Sequence, residues 1–302
     1  MAERLQNKDR LQIDLNEIGL KQTSERTWAS ENNLFRRVDW RESGHLDVIG
    51  NIQNAVWNFG DRNVVPPNVL AIVEETGGDL LEAFDLSWQP EAFALTFATS
   101  DPKIFFLHML GVDPNKQSTH VGQETMLLQG ALARSKGVET IEWTYDPLMG
   151  GNSNLYMTKL HAIPYKYTIN KYGIVKNEDT KGESRYKNVQ TDRFTVKWNI
   201  GNESIWSSAA RKKVLTLPQN PDFWNGKGDA PDSFRFGVPY DFAVLSTAGM
   251  IDARQALREI CLKVMDYDDF SNRDFHIGTH LPFEFTPDPD RKLNTYTFVR
   301  KS

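Results

Sequence analysis

A chain of 302 residues, 39% hydrophobic and 25% charged, holds enough apolar material to bury a core, which excludes disorder as its general state. A net charge of -5 excludes a broadly basic surface, and the short basic runs at Arg211–Lys213 and Lys181–Lys187 read as solvated faces, so a nucleic-acid partner is not expected on this ground. One cysteine, Cys261, excludes an intrachain disulfide; with no signal-type apolar core near the start and no apolar run of ~18–20 residues, the expectation is a cytoplasmic protein without a membrane partner.

Residues 1–34 are polar, carry one weak apolar period at Leu11, Ile13, Leu15 and Ile18, and read as an extension. Phe35–Trp40 predicts a strand, and Leu46–Trp57 a helix burying Val48, Ile49, Ile52 and Val56 at three- and four-residue spacing. Val69–Glu75 predicts a short helix ended by Gly77-Gly78. Three strands follow at Leu80–Leu86, Ala92–Thr99 and Lys103–Val112. In the last, Ile104, Phe106, His108 and Leu110 alternate with Phe105, Leu107 and Met109, which predicts a central strand covered on both faces.

Gly122–Lys136 predicts a helix with Gly137 as its stop, Glu139–Tyr145 a strand, Asn152–Leu160 a helix capped by Asn152, and Pro164–Asn170 and Arg193–Trp198 strands. Residues 174–191 and 201–233 read as loops. Ser246 or Thr247 can cap a helix to about Met265, with Cys261 on its apolar stripe as a packed core thiol, and Asn294–Arg300 predicts a closing strand. This order gives an α/β fold of the α+β mixed-sheet kind over 35–200, with 201–302 packing on or extending the sheet.

The junction Gly111–Met126, GVDPNKQSTHVGQETM, leads a buried strand into a helix N-terminus. Free backbone N–H groups and the positive end of the helix dipole suit a pyrophosphate there, with Gln117, Ser118, Thr119 and Gly122 as small or polar neighbours; an ordinary connecting loop is the alternative. Downstream, Trp143–Gly173 reads as strand, turn, helix and aromatic-rich strand.

That second stretch resembles the signature of a family of GNAT-superfamily acyltransferases, some of which occur with N-acylamino acid racemases. The matching residues are Trp143, Thr144, Tyr145, Asp146, Pro147, Leu148, Asn152, Lys159, Leu160, Tyr167, Asn170, Tyr172 and Gly173. Further matches are Asp192-Arg193, Pro66 before Gly77-Gly78, and Pro239-Tyr240-Asp241-Phe242, so the resemblance spans about 35–300. It implies a GNAT-like fold and N-acyl transfer from acyl-CoA to an amine, with an amino acid as one acceptor. It also implies that Gln117, Ser118, Thr119, His120, Val121, Gly122 and Gln123 hold the donor pyrophosphate. Leu110–Val112 would pair with the pantetheine arm, and Asn152 would line the donor groove. His120 stands where the family loop has its first glycine.

Within that chemistry, Tyr156 is the candidate acid or a packed aromatic, and Asp146 the candidate base or an acceptor of loop N–H bonds. His108 is a candidate acceptor contact or a core histidine. Arg193 either clamps a substrate carboxylate or pairs with an acid such as Asp192. His276 and His280 are four apart, but no metal is expected there. An aminoacyl-tRNA or carrier-protein donor, a non-catalytic binding role, and a homodimer stay open as alternatives.

Overall fold

The computed structural model describes residues 2–42, 44–57, 64–117, 119–174, 189–201, 222–240, 245–269, 274–287, 290 and 293–301. The chain divides into two compact units; one boundary falls within the strand β7 (Thr140–Tyr145), at Glu142/Trp143, and the chain returns to the first unit at Asn199.

In the first unit, residues read as a polar extension form α1 (Ala2–Glu17), β1 (Lys21–Gln22) and β2 (Thr27–Ala29). Periodicity could not reveal α1, because its Ile13 is 60% exposed while Leu15 is fully buried. Besides the buried Leu15, a polar contact holds it: Arg134 donates to Asp14, an ion pair with both side chains buried. Such a pair is sensitive to the loss of either member.

The rest of this unit is a meander with a crossover. It contains β3 (Asn33–Arg37), α2 (His45–Trp57), α3 (Pro67–Ala71), β4 (Asp79–Asp85), β5 (Pro90–Ala98), β6 (Ile104–Val112) and α4 (Val121–Ser135). Strands β1 to β6 pair antiparallel in chain order, and β6 then pairs parallel with β7, with α4 as the connection. Ile49 and Ile52 of α2 and Leu70 of α3 bury against Phe93 and Leu95, as the helical spacing requires. Nearly every residue of α4 is buried, as expected of a helix wrapped by other elements.

The expectation for β6 needs correction. Leu95 pairs with Met109 but Thr96 with Leu107, so His108 is an extra residue in a bulge. A one-residue insertion exchanges the two faces. Met109 therefore packs with Phe97 on the core beneath α2 and α3, while His108 is exposed rather than covered.

Just past the bulge, Gly111 backs onto two rings: an added Cβ would lie 2.6 Å from Phe93 and 3.1 Å from Trp57. Gly111→Ala is expected to cost about 1–3 kcal/mol by overpacking, read as a lower denaturant midpoint. An unchanged midpoint would mean that both rings yield freely.

The second unit begins with the end of β7 and adds α5 (Gly150–Ser153), a wide helical turn at Asn154–Lys159, β8 (Ile163–Ile169) and β9 (Arg193–Asn199). Then come β10 (Ser233–Pro239), α6 (Thr247–Val264), β11 (Asp266–Asp269), β12 (Asp274–His276), β13 (His280–Thr286) and β14 (Leu293–Arg300). Its strands pair in the order β7-β9-β8-β11-β12, and β10-β14-β13 form a separate sheet. Ser246 caps α6 by accepting from the Gly249 N–H at 3.1 Å. Cys261 is fully buried, and burial pushes its thiol well up, so it is a packing residue. Phe194 and Tyr296 meet edge to face at 5.6 Å, joining β9 to the three-stranded sheet.

Candidate active site

The predicted site residues fall into two groups. In the first unit, His108, Leu110 and Val112 lie on β6, and Gln117 to Gln123 carry the chain into α4. Strand β6 pairs with β7 only through Ile104–Phe106 and Thr140–Glu142. Beyond Phe106, the described ladder of β6 is with β5 alone.

Local chemistry shapes the loop after β6. Asp113 accepts from the Asn115 N–H at 2.8 Å, which starts a tight turn over Pro114–Lys116. Lys116 does not project toward a ligand: its Nζ is 2.8 Å from Glu91 and 3.4 Å from Asp85. Thr119 Oγ1 donates to the Lys116 carbonyl at 2.7 Å, while Gln117 and Thr119 are exposed; Ser118 lies outside the described residues.

His120 then takes φ 66°, a left-handed conformation that favours glycine, and leads into α4 with no side-chain cap. The N–H groups of Val121, Gly122 and Gln123 head the helix, where no intrahelical carbonyl can reach them. Val121 and Gly122 are buried, and Gln123 is half-buried. Glu124, in the first turn, would repel an anion if it faced one. Instead its Oε2 accepts from Ser30 Oγ and Asn33 Nδ2, each at 2.8 Å, which fixes the helix start to the β2–β3 turn. The His108 ring packs on Phe97 at 5.4 Å, and partial desolvation holds its pKa below the ordinary imidazole value.

The second unit gathers Asp146, Arg193, Tyr156 and Asn152 differently from expectation. Helix α5 starts at Gly150 with Met149 before it, so Asn152 lies inside the turn, exposed, and caps nothing. Tyr156 is only 6% exposed, with its ring 5.0 Å from Trp143 and 5.2 Å from Tyr145, both edge to face. Burial pushes its phenol above the ordinary tyrosine range. The wide turn that seats it is marked by Leu160 N–H donating to the Leu155 carbonyl, one residue longer than an α-helical bond.

Asp146 is an ion-pair anchor. Arg254 donates to both of its oxygens, at 2.8 and 2.6 Å, and the Leu148 N–H donates at 3.0 Å. Burial opposes its charge, but Arg254 and then Arg193 outweigh burial and hold the carboxyl below the usual range. A carboxylate so occupied is a poor proton acceptor, which weighs against its expected role as base. Asp192, fully buried, takes Arg258 at 2.9 and 2.7 Å and the Tyr167 hydroxyl at 2.5 Å.

Arg254 and Arg258 are the residues that sequence reading missed. They are four apart on α6, with Arg254 next to Ala253 and three residues before Leu257 on the apolar stripe. A charged residue at the margin of a buried stripe was the available signal. The side chain of His276 lies outside the described residues, and His280 is engaged with Thr279 Oγ1 and the Pro231 carbonyl, each at 2.8 Å.

No family model matches the chain, and no curated protein matches it. Among solved structures, it is similar to the ribosomal-protein-S18-alanine N-acetyltransferase from Escherichia coli. The two are 15% identical with a TM-score of 0.44, over 56% of this chain and 95% of that one. It is also similar to the ribosomal-protein-S5-alanine acetyltransferase from Vibrio fischeri, at 9% identity and a TM-score of 0.45 over 58% and 97%. A third likeness is the Bacillus subtilis acetyltransferase in complex with CoA, at 13% identity and a TM-score of 0.41 over 55% and 97%. Similarity at this level adds nothing to the chemistry, which rests on the residues above.

Proposed function

We propose that this chain is a GNAT-type N-acyltransferase that moves an acyl group from acyl-CoA to an amine. The observation carrying the proposal is the uncapped start of α4 behind the end of β6. Its entry residue, His120, adopts the left-handed conformation at the position where the resemblance expects glycine. Three head N–H groups and the helix dipole favour a pyrophosphate, and the Glu124 carboxylate is engaged by Ser30 and Asn33.

The chemistry is aminolysis of a thioester. The amine nitrogen attacks the carbonyl carbon, the C–S bond breaks, and the thiolate leaves to be protonated. An N–H on the part of β6 beyond Phe106 is suited to polarise the carbonyl, in the manner of an oxyanion hole. His108, exposed on its bulge and shifted toward the neutral ring, is suited to contact the amine and accept its proton. Tyr156 is a phenol that stays protonated, which a donor to thiolate requires. A fall in kcat for Tyr156→Phe at unchanged donor affinity would assign it that role; no change would make it a packing residue.

Calorimetry with CoA, acetyl-CoA and succinyl-CoA tests the proposal. Thr119→Glu places a negative charge on an exposed loop residue beside the proposed pyrophosphate. It is expected to weaken donor binding by about tenfold at low salt, an effect that salt should screen. No binding at millimolar donor would sink the CoA reading. It would leave a carrier-protein or aminoacyl-tRNA donor as the reading that His120, bulkier than glycine, favours.

A further inference from the structure

Among the described residues, the ion pairs of the second unit's buried charge cluster join unequal numbers of acids and bases. Asp146 and Asp192 supply two negative charges; Arg193, Arg254 and Arg258 supply three positive ones. Arg254 and Arg258 each hold a carboxylate through two nitrogens, at 2.6–2.8 Å and 2.7–2.9 Å. Those are the short, forked contacts of satisfied pairs.

Arg193 is placed otherwise. Its Nη1 reaches Asp146 only at 3.5 Å, whereas Arg254 holds both oxygens of Asp146 at 2.8 and 2.6 Å. The same nitrogen donates at 2.9 Å to a neutral acceptor, the Asp192 carbonyl. The guanidinium lies over the Tyr172 ring at 5.4 Å, and the Tyr172 hydroxyl is 2.9 Å from Thr144 Oγ1. Tyr172 is 59% exposed, and the Arg193 side chain is 20% exposed. The guanidinium is therefore oriented by a ring and a carbonyl, reached by solvent, and, among the described residues, paired only at 3.5 Å with a carboxylate that Arg254 holds more closely. Burying a cation in that state is costly unless an anion completes it.

We propose that Arg193, stacked on Tyr172, recognises the carboxylate of a bound ligand. Given the acyl-transfer reading, on which this assignment of substrate class rests, the acceptor is an amine that carries a carboxylate, as an amino acid does. Asp146 is then a positioning residue: by occupying Arg254 it fixes the charged wall against which Arg193 stands. A dicarboxylic acyl group on the donor would present the same chemistry from another source.

The test is calorimetry on the full chain with N-acetyl glycine, leucine, phenylalanine, glutamate and lysine, each against its methyl ester. At least one acid is expected to bind about tenfold or more tighter than its ester, the scale of a charge-assisted hydrogen-bonded pair. Arg193→Lys should shrink that ratio and Arg193→Gln should abolish it, both leaving acetyl-CoA affinity unchanged. If succinyl-CoA instead binds tighter than acetyl-CoA, and Arg193→Gln removes that preference, the carboxylate belongs to the acyl group and the recognition stands.

The proposal is overturned if no acid is preferred to its ester and succinyl-CoA is not preferred to acetyl-CoA. It is equally overturned if a preference survives Arg193→Gln. Should the Arg193 variants lose their near-ultraviolet dichroism, Tyr172→Leu, at an exposed side chain, takes their place. It is expected to lower the ratio about threefold, and an unchanged ratio overturns the proposal. Acid preference without acetyl-CoA binding would sink the acyltransferase reading alone; acetyl-CoA binding without acid preference would sink this inference alone.

Discussion

Asp146→Ala is expected to lower folding stability by about 3–5 kcal/mol, the scale for removing one partner of a buried ion pair. The reason lies in what stays behind. Arg254 is 4% exposed and would keep its charge with neither forked bond, and Arg193 would lose its nearest carboxylate. Urea denaturation of wild type, Asp146→Ala and Asp146→Asn measures the loss. Asparagine should recover part of it by accepting one hydrogen bond. A loss under about 1 kcal/mol for alanine, the scale of an exposed pair, would show that water solvates Arg254 after all.

The same pair fixes a pH dependence. The carboxyl of Asp146 is held below the ordinary range in the folded chain, against an unfolded value of about 3.9. Its contribution is therefore complete above the unfolded value and disappears as pH falls through the lower folded value. An acid titration of stability should be shallower in Asp146→Asn than in wild type. An anchor and a base are separable here: an anchor loses stability when replaced, whereas a base loses kcat in a chain that stays stable.

The elements with strong local signals were legible from the residues. Strand β6 begins one residue later than read, α4 one residue earlier, and α6 starts behind the predicted Ser246 cap. These elements follow from apolar periodicity and from capping residues, both visible within a short window. The bulge at His108 left no such mark, since an inserted residue shows itself only through the partner strand's register. Helix α1 was missed because its anchor, Asp14 with Arg134, joins residues 120 positions apart. The candidate site divides in the same way. The β6-to-α4 loop is contiguous in the chain, whereas the arginines that pair with Asp146 and Asp192 come from α6. A charge imbalance assembled from distant segments has no signature in any one of them.

Gly77 and Gly78 looked interchangeable in the sequence, as a pair of helix-ending residues, yet their replacement is expected to differ sharply. Gly77 needs its φ of +91°, and an added Cβ would make only an ordinary 3.6 Å contact with Ala98. Gly77→Ala should cost about 1–2 kcal/mol of backbone strain. At Gly78 the obstacle is space: a Cβ would lie 2.3 Å from the Thr96 carbonyl oxygen, 2.9 Å from Val73 Cγ1 and 3.1 Å from the Val73 carbonyl. Backbone must move, and two dependent features would move with it. The next residue, Asp79, is fully buried, with Arg37 at 3.0 Å and Lys136 at 2.9 Å. Thr96 itself pairs with Leu107, directly before the bulge that exposes His108. Gly78→Ala is therefore expected to cost about 3 kcal/mol or more, beyond ordinary overpacking because a buried ion pair is strained as well. Denaturation midpoints of the two alanine variants check the order. Equal losses would show that β5 can give way at Thr96, and would also remove the reason to regard the His108 bulge as rigidly held.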